Sequence, residues 1–320
     1  MNCLKHPLKS PTIILAFMLA IGIFSCKNAT KETATTEQSG KKIGVLLVNH
    51  GSRSDAWRAS LLDLDKHVRD SIMAGGKVGD VKTAFMEYTE PSIATRLKEF
   101  DKEHYSDVII VPVFLTVSGH SFDDIPTLVG LKDDPQSIEA FKIENMERYK
   151  PQAKVHITPL LDFTDILKKN ILRRYKNISK DAANEGLVLI AYGDKTYNTE
   201  WTKLMTNVGD YVKQNTTLTN YDYGWCGHIA HYSPDSTTLP VNRILKEKKE
   251  AVVIPVLVAF DEMFQGKIIP DGIKKVKDAK EHVLYKPDAI LPDGNVESWV
   301  INTSRDFTDK ILNNTIAAAR

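Results

Sequence analysis

The sequence predicts an α/β fold built as two tandem domains, each a small, mostly parallel β-sheet flanked by helices. Strand-like and helix-like segments alternate from Ile43 onward. The strand-like runs lack a polar face, as parallel strands covered on both sides do. The whole order then recurs about 142 residues later.

The elements follow in order. IGVLLVNHGSR (43–53) is a buried strand running into a Gly/Ser turn, and SDAWRASLLDLDKHVRDSI (54–72) is an amphipathic helix. VKTAFMEYTEP (81–91) is the second strand, closed by Pro91, and PSIATRLKEFDKEH is the helix after it. DVIIVPVFLTV (107–117) is a β-branched third strand that ends in a Gly119-His120 turn. A polar stretch, the strand KVHITPLL and the helix DFTDILKKNILRRYK complete the unit.

The second unit repeats the first in register. GLVLIAYGDKTYNTEWTKLM parallels IGVLLVNHGSRSDAWRASLL and sets Tyr192 opposite His50, 142 residues apart. AVVIPVLVAFDEMF parallels VIIVPVFLTVSGHSF, with Pro255 143 residues after Pro112 and Met263 near the place of His120. HVLYKPDAI and DFTDKIL match the closing strand and helix. The expected division is repeat 1 over 43–180 and repeat 2 over 186–320, with the boundary in NISKDAANEGL.

Composition narrows the function. The length of 320 residues suits two domains of ordinary size or one large one, and 42% hydrophobic with 26% charged residues is normal for a globular chain. With 42 Lys and Arg against 41 Asp and Glu, there is no net field to hold nucleic acid.

Residues 1–26 read as a separate signal. Lys5 and Lys9 precede a 13-residue apolar run, Thr12 to Phe24, which is short for a bilayer span. Ser25-Cys26 then resembles the end of a bacterial lipoprotein signal, which makes Cys26 the expected lipidation site; a plain transmembrane anchor is the other reading, and both imply export. Residues 27–42 form a polar tether. Lipid anchoring to the bacterial cell envelope, on its periplasmic or outer-surface side, is therefore expected, with membrane contact through the N-terminal lipid only. Cys226 would then have no disulfide partner.

Ligands of open parallel sheets bind outside the carboxyl ends of the strands. His50 ends the first strand, Glu87 the second, and His120 follows the third. Two imidazoles and a carboxylate suit a borderline divalent ion such as Co²⁺, Ni²⁺, Fe²⁺ or Zn²⁺. Single histidines at such places are also often structural.

The segments LLVNHGSR, FMEYTEPSI and VIIVPVFLTVSGHSFDDIP resemble the signature of the sirohydrochlorin chelatases, the class II cobalto-, ferro- and nickelochelatases. The resemblance covers 43 to about 175 and falls on His50, Glu87 and His120, followed by Asp124-Ile125-Pro126. It implies a lyase whose substrates are a divalent metal (Co²⁺, Ni²⁺ or Fe²⁺) and a tetrapyrrole, with no organic cofactor. The histidines would hold the metal. Glu87 would take pyrrole protons, with His50 and His120 as possible relays and Glu90 as an alternative base. Arg53 is a candidate for a substrate carboxylate, while Ser118 and Gly119 would shape the turn against a flat ligand.

Repeat 2 departs from this pattern, so repeat 1 is the expected active half. In WCGHIAHY, His228 and His231 fall near the place of Glu87, counted as residue 229. On a β-run they would face opposite ways. His67, His104, His156 and His282 read as surface or packing residues. Because sirohydrochlorin is made inside cells, an exported protein that binds metal, haem or a corrinoid without turnover is the second functional reading.

Overall fold

The computed structural model describes residues 40–160 and 163–315. The expected signal peptide, Cys26 and all but the last three residues of the tether lie outside the described residues.

The first half contains β1 (Ile43–Asn49), α1 (Asp55–Met73), β2 (Val78–Phe85), α2 (Ile93–Lys102) and β3 (Asp107–Pro112). A π-helical turn, His120–Asp124, leads into α3 (Ile125–Leu128), then α4 (Pro135–Glu144), β4 (Lys154–Ile157) and α5 (Phe163–Ile178). The second half runs β5 (Glu185–Ala191), α6 (Asn198–Gln214), β6 (Asn220–Trp225), α7 (Asp235–Leu245) and β7 (Glu250–Val256). Another π-helical turn, Phe264–Ile268, precedes α8 (Ile269–Lys274), α9 (Ala279–His282), β8 (Val283–Tyr285) and α10 (Gly294–Leu312).

Each half holds a four-stranded parallel sheet, in the order β2-β1-β3-β4 and β6-β5-β7-β8. The expected architecture is thus present, with strands shorter than the sequence suggested: β3 ends at Pro112 rather than at Val117, and β4 covers only the first half of KVHITPLL. β2 ends at Phe85, because Met86 to Glu90 leave the sheet and Tyr88 takes a left-handed backbone (φ 66).

Alternation sorts the side chains by face. Val45 and Leu47 of β1 join a core with α1, whereas Leu46 and Val48 face Ile93, Leu97 and Phe100 of α2. In the second sheet, Leu187 and Leu189 join that same first core, and Val188 and Ile190 pack on Val241 and Ile244 of α7. One continuous core therefore lies between the two sheets, with α1, α5, α6 and α10 inside it. Serine and aspartate caps start several helices: Ser54 accepts from Trp57 N–H at 3.2 Å and Asp293 from Asn295 N–H at 2.7 Å.

The terminal helices are exchanged between the halves. α5 packs on α6 and β7, whereas α10 packs on α1 and β3. Polar contacts fix both crossings. Asn170 donates to Asp293 at 2.7 Å and Arg174 pairs with Asp288, while Lys77 meets Asp309 at 2.7 Å and Arg305 donates to the Ser71 carbonyl at 2.5 Å.

Candidate metal centre

The carboxyl end of β1 is flanked by those of β2 and β3, since β1 lies between them. Beyond the strand ends the ladder continues. Met86 N–H donates to the Asn49 carbonyl at 2.8 Å, Glu87 N–H to that of His50 at 2.9 Å and Val113 N–H to that of Val48 at 2.8 Å. His50 and Glu87 are thereby aligned by backbone. The π-helical turn then returns His120 toward them. One ligand atom from each of His50, Glu87 and His120 lies within 4.8 Å of the others.

Gly51 permits this alignment. Its φ is +97°, and a β-carbon there would stand 2.1 Å from the Glu87 carbonyl oxygen. Only glycine fits at that turn.

Both imidazoles are oriented by their Nδ1 edges. His50 Nδ1 lies 3.0 Å from the Gly51 carbonyl oxygen and His120 Nδ1 lies 2.7 Å from Asp124 Oδ2. Each partner can only accept, so each Nδ1 carries the proton and each Nε2 keeps a lone pair. Such outer hydrogen bonds fix the tautomer and direction of a ligating imidazole. The two rings meet edge to face at 4.6 Å, and Glu87 Oε1 lies 3.8 Å from His120 Nδ1.

The two histidines titrate in opposite directions. Burial, assisted by the neighbouring His120, holds His50 below the ordinary histidine value. Burial also pulls on His120, but its hydrogen bond to Asp124 and the charge of Glu87 outweigh it and leave His120 above that value.

The other expected residues are placed unevenly. Arg53 is exposed at the cleft rim with its guanidinium 5.1 Å from the Tyr88 ring centroid. Ser118 is buried, lines the cleft and receives its neighbour Ser121 in a local hydrogen-bonded turn. Gly119 does not have the conformational role expected of it. Its φ is −50°, an added β-carbon would meet nothing within 4 Å, and its N–H points at Asp194 at 3.4 Å. Glu90 is exposed and accepts from Ser92 N–H at 2.6 Å, so it is taken up at the start of α2.

The second half carries an aromatic counterpart of the same geometry. Gly193 (φ +82°) repeats the turn of Gly51 and places Tyr192 as the equivalent of His50. Gly227 N–H donates to the Tyr192 carbonyl at 3.0 Å, as Glu87 does to His50, so Gly227 holds the place of Glu87. This corrects the expected position, residue 229, because the segment from Tyr192 to Gly227 is two residues shorter than that from His50 to Glu87, the difference arising before β6. The matching π-helical turn puts Phe264, the neighbour of Met263, in the place of His120. Tyr192 and Phe264 meet edge to face at 5.6 Å, as His50 and His120 do. His228 and His231 sit on and after a single 3-10 turn rather than a β-run, and only His228 lines the cleft.

The two sets of strand ends enclose one cleft of about 680 Å³. His50 and His120 line one side; Tyr192, Tyr232 and Phe264 line the other. Pseudo-symmetric contacts tie its walls together: Ser52 donates to Asp261 at 2.6 Å, Ser54 to Glu262, and Trp201 Nε1 to the Val117 carbonyl at 3.0 Å. The aromatic wall was not read from the sequence.

A family model described as CbiX matches residues 44–178. The sirohydrochlorin cobaltochelatase of Methanococcoides burtonii is 38% identical over 103 residues, which are 31% of this chain and 71% of that protein. Those of Methanopyrus kandleri (30% over 92 residues) and Methanocaldococcus jannaschii (33% over 90) are matched over 62% and 60% of their own lengths and 29% and 28% of this chain. Among solved structures, the sirohydrochlorin chelatase SirB from Bacillus subtilis subspecies spizizenii, in complex with cobalt, superposes with a TM-score of 0.59 at 15% identity. That superposition covers 84% of this chain and 96% of SirB. DR2241 from Deinococcus radiodurans, a multi-domain protein with structural similarity to chelatases, gives 0.56 at 16% identity over 83% of this chain and 55% of that one.

Proposed function

Because the chain belongs to the sirohydrochlorin chelatase family of enzymes, we propose that it inserts Co²⁺, Ni²⁺ or Fe²⁺ into a sirohydrochlorin-like tetrapyrrole. The observation that carries this reading is the gathering of the buried Glu87 with His50 and His120, which line one side of a cleft whose other side is aromatic. A flat macrocycle fits between such walls, with its central nitrogens toward the triad and its faces against rings.

In this reading His50 and His120 present the metal substrate through their Nε2 lone pairs, and Glu87 completes the donor set. As metal–nitrogen bonds form, pyrrole N–H bonds break, and Glu87 accepts a proton at its carboxylate. Arg53, held over Tyr88 at the rim, meets a carboxylate of the macrocycle. Cys26 anchors the chain to the envelope by lipid, a reading that rests on the short apolar run ending in Ser25-Cys26.

Purified protein given each metal with sirohydrochlorin tests the proposal, with insertion followed by the absorbance of the macrocycle. Insertion with at least one metal is expected. Tight retention of the macrocycle without insertion of any metal would replace the enzyme by the exported binding protein.

A further inference from the structure

Six titratable side chains of the second half line the cleft: Tyr192, Asp194, His228, Tyr232, Asp261 and Glu262. Five are already engaged. Asp194 accepts from the N–H groups of Thr196 and Tyr197 at 2.8 and 2.9 Å. Asp261 accepts from Ser52 at 2.6 Å and from Met263 N–H at 2.9 Å, and Glu262 accepts from Ser54. The hydroxyls of Tyr192 and Tyr232 meet at 3.3 Å. His228 alone has neither ring nitrogen in a hydrogen bond among the described residues, and it is exposed to solvent at the cleft. Its ring stands 5.5 Å from that of Tyr192, the counterpart of His50.

Inserting a divalent metal into a neutral macrocycle releases two protons, and a planar ligand has two faces. A ligand lying between the walls would screen its far face from Glu87. Building on the chelatase reading above, we propose that His228 accepts the second pyrrole proton, through the face turned toward the second half. One pyrrole N–H bond breaks, its electron pair becomes the bond from nitrogen to metal, and the proton forms a new N–H bond on the neutral imidazole. The imidazolium then passes that proton to solvent water. No electron changes hands. Imidazole suits such a cycle because it exchanges protons near neutrality.

His231 supplies the control. It lies three residues on, in a left-handed backbone (φ 51), and does not line the cleft. Asparagine tolerates that backbone.

The test uses the full chain with Co²⁺ and sirohydrochlorin at saturation. His228→Gln is expected to lower kcat by about 10²-fold while leaving Co²⁺ and macrocycle affinities within about twofold. Free imidazole should restore part of the rate to His228→Ala, and His231→Asn should match the unaltered protein. An undiminished kcat in His228→Gln removes His228 from the reaction and leaves the chelatase reading intact. Weaker macrocycle binding with normal kcat at saturation makes His228 a contact only, which also overturns the proposal. Failure of the unaltered protein to insert metal overturns the chelatase reading and the role of His228 together.

Discussion

Asp124 Oδ2 lies 2.7 Å from His120 Nδ1, four residues along the chain, and so fixes the orientation of the His120 ring beside Glu87. The same carboxylate holds His120 protonated to a higher pH than an ordinary histidine. Protons compete with metal for this ring, so metal affinity should fall as pH drops through the raised value. In Asp124→Asn that raising contribution is lost, and the midpoint of the fall should move to lower pH. At alkaline pH, where no proton competes, the variant should bind about 10–100-fold more weakly because the ring is less firmly oriented. Calorimetric titration of Co²⁺ across pH checks both directions.

Metal binding should depend on the first half alone. His50→Ala or His120→Ala is expected to weaken Co²⁺ or Ni²⁺ binding by more than about tenfold. Tyr192→Ala should leave it nearly unchanged, since Tyr192, Gly227 and Phe264 offer no comparable donor set. A greater loss from Tyr192→Ala would place the metal in the second half and overturn this assignment.

Glu87→Gln separates holding metal from moving protons. Glutamine keeps the shape and hydrogen bonding but cannot take a proton at neutral pH. Metal and tetrapyrrole binding should persist while insertion slows by about 10²–10⁴. Glu90→Gln should insert normally, because Glu90 is occupied by Ser92 N–H.

Two glycines should respond oppositely to alanine. At Gly51 a methyl group collides with the Glu87 carbonyl and the backbone is left-handed, so Gly51→Ala should cost at least about 1–2 kcal/mol. Differential scanning should show a fall in Tm of several degrees, with weakened metal binding. Gly119→Ala meets open space on helical backbone and should be neutral or slightly stabilising.

Cys26→Ser tests the anchor. Expressed as the full chain, the variant should accumulate as a precursor without incorporated lipid. Normal labelling of the variant by a lipid precursor would rule out Cys26 as the attachment point.

The triad was legible because HGS, EYTEP and GHSFDDIP each follow an apolar run, and parallel strands bring their ends together. The repeat was legible in its strands for the same reason. Its exact correspondences were not. The offset of 142 that relates Tyr192 to His50 falls by two at Gly227 and rises by two at Phe264, because helices, strands and loops of the two halves differ in length. The aromatic wall escaped notice because Tyr192, Tyr232 and Phe264 come from three separate loops and share no pattern along the chain. Helix exchange was equally hidden: the apolar stripe of α5 shows that Leu167, Ile171 and Tyr175 are buried, but not against which sheet.

That exchange makes the two halves mutually dependent in folding. A chain cut between Ile178 and Glu185 yields two fragments, each ending in a helix whose apolar stripe has its partner on the other fragment. Neither can cover its inner sheet face by itself, so each is a poor candidate for autonomous folding and a good one for reassembly with its complement. The half without the His50–Glu87–His120 cluster therefore cannot be shed: it remains the mould in which the other half takes shape.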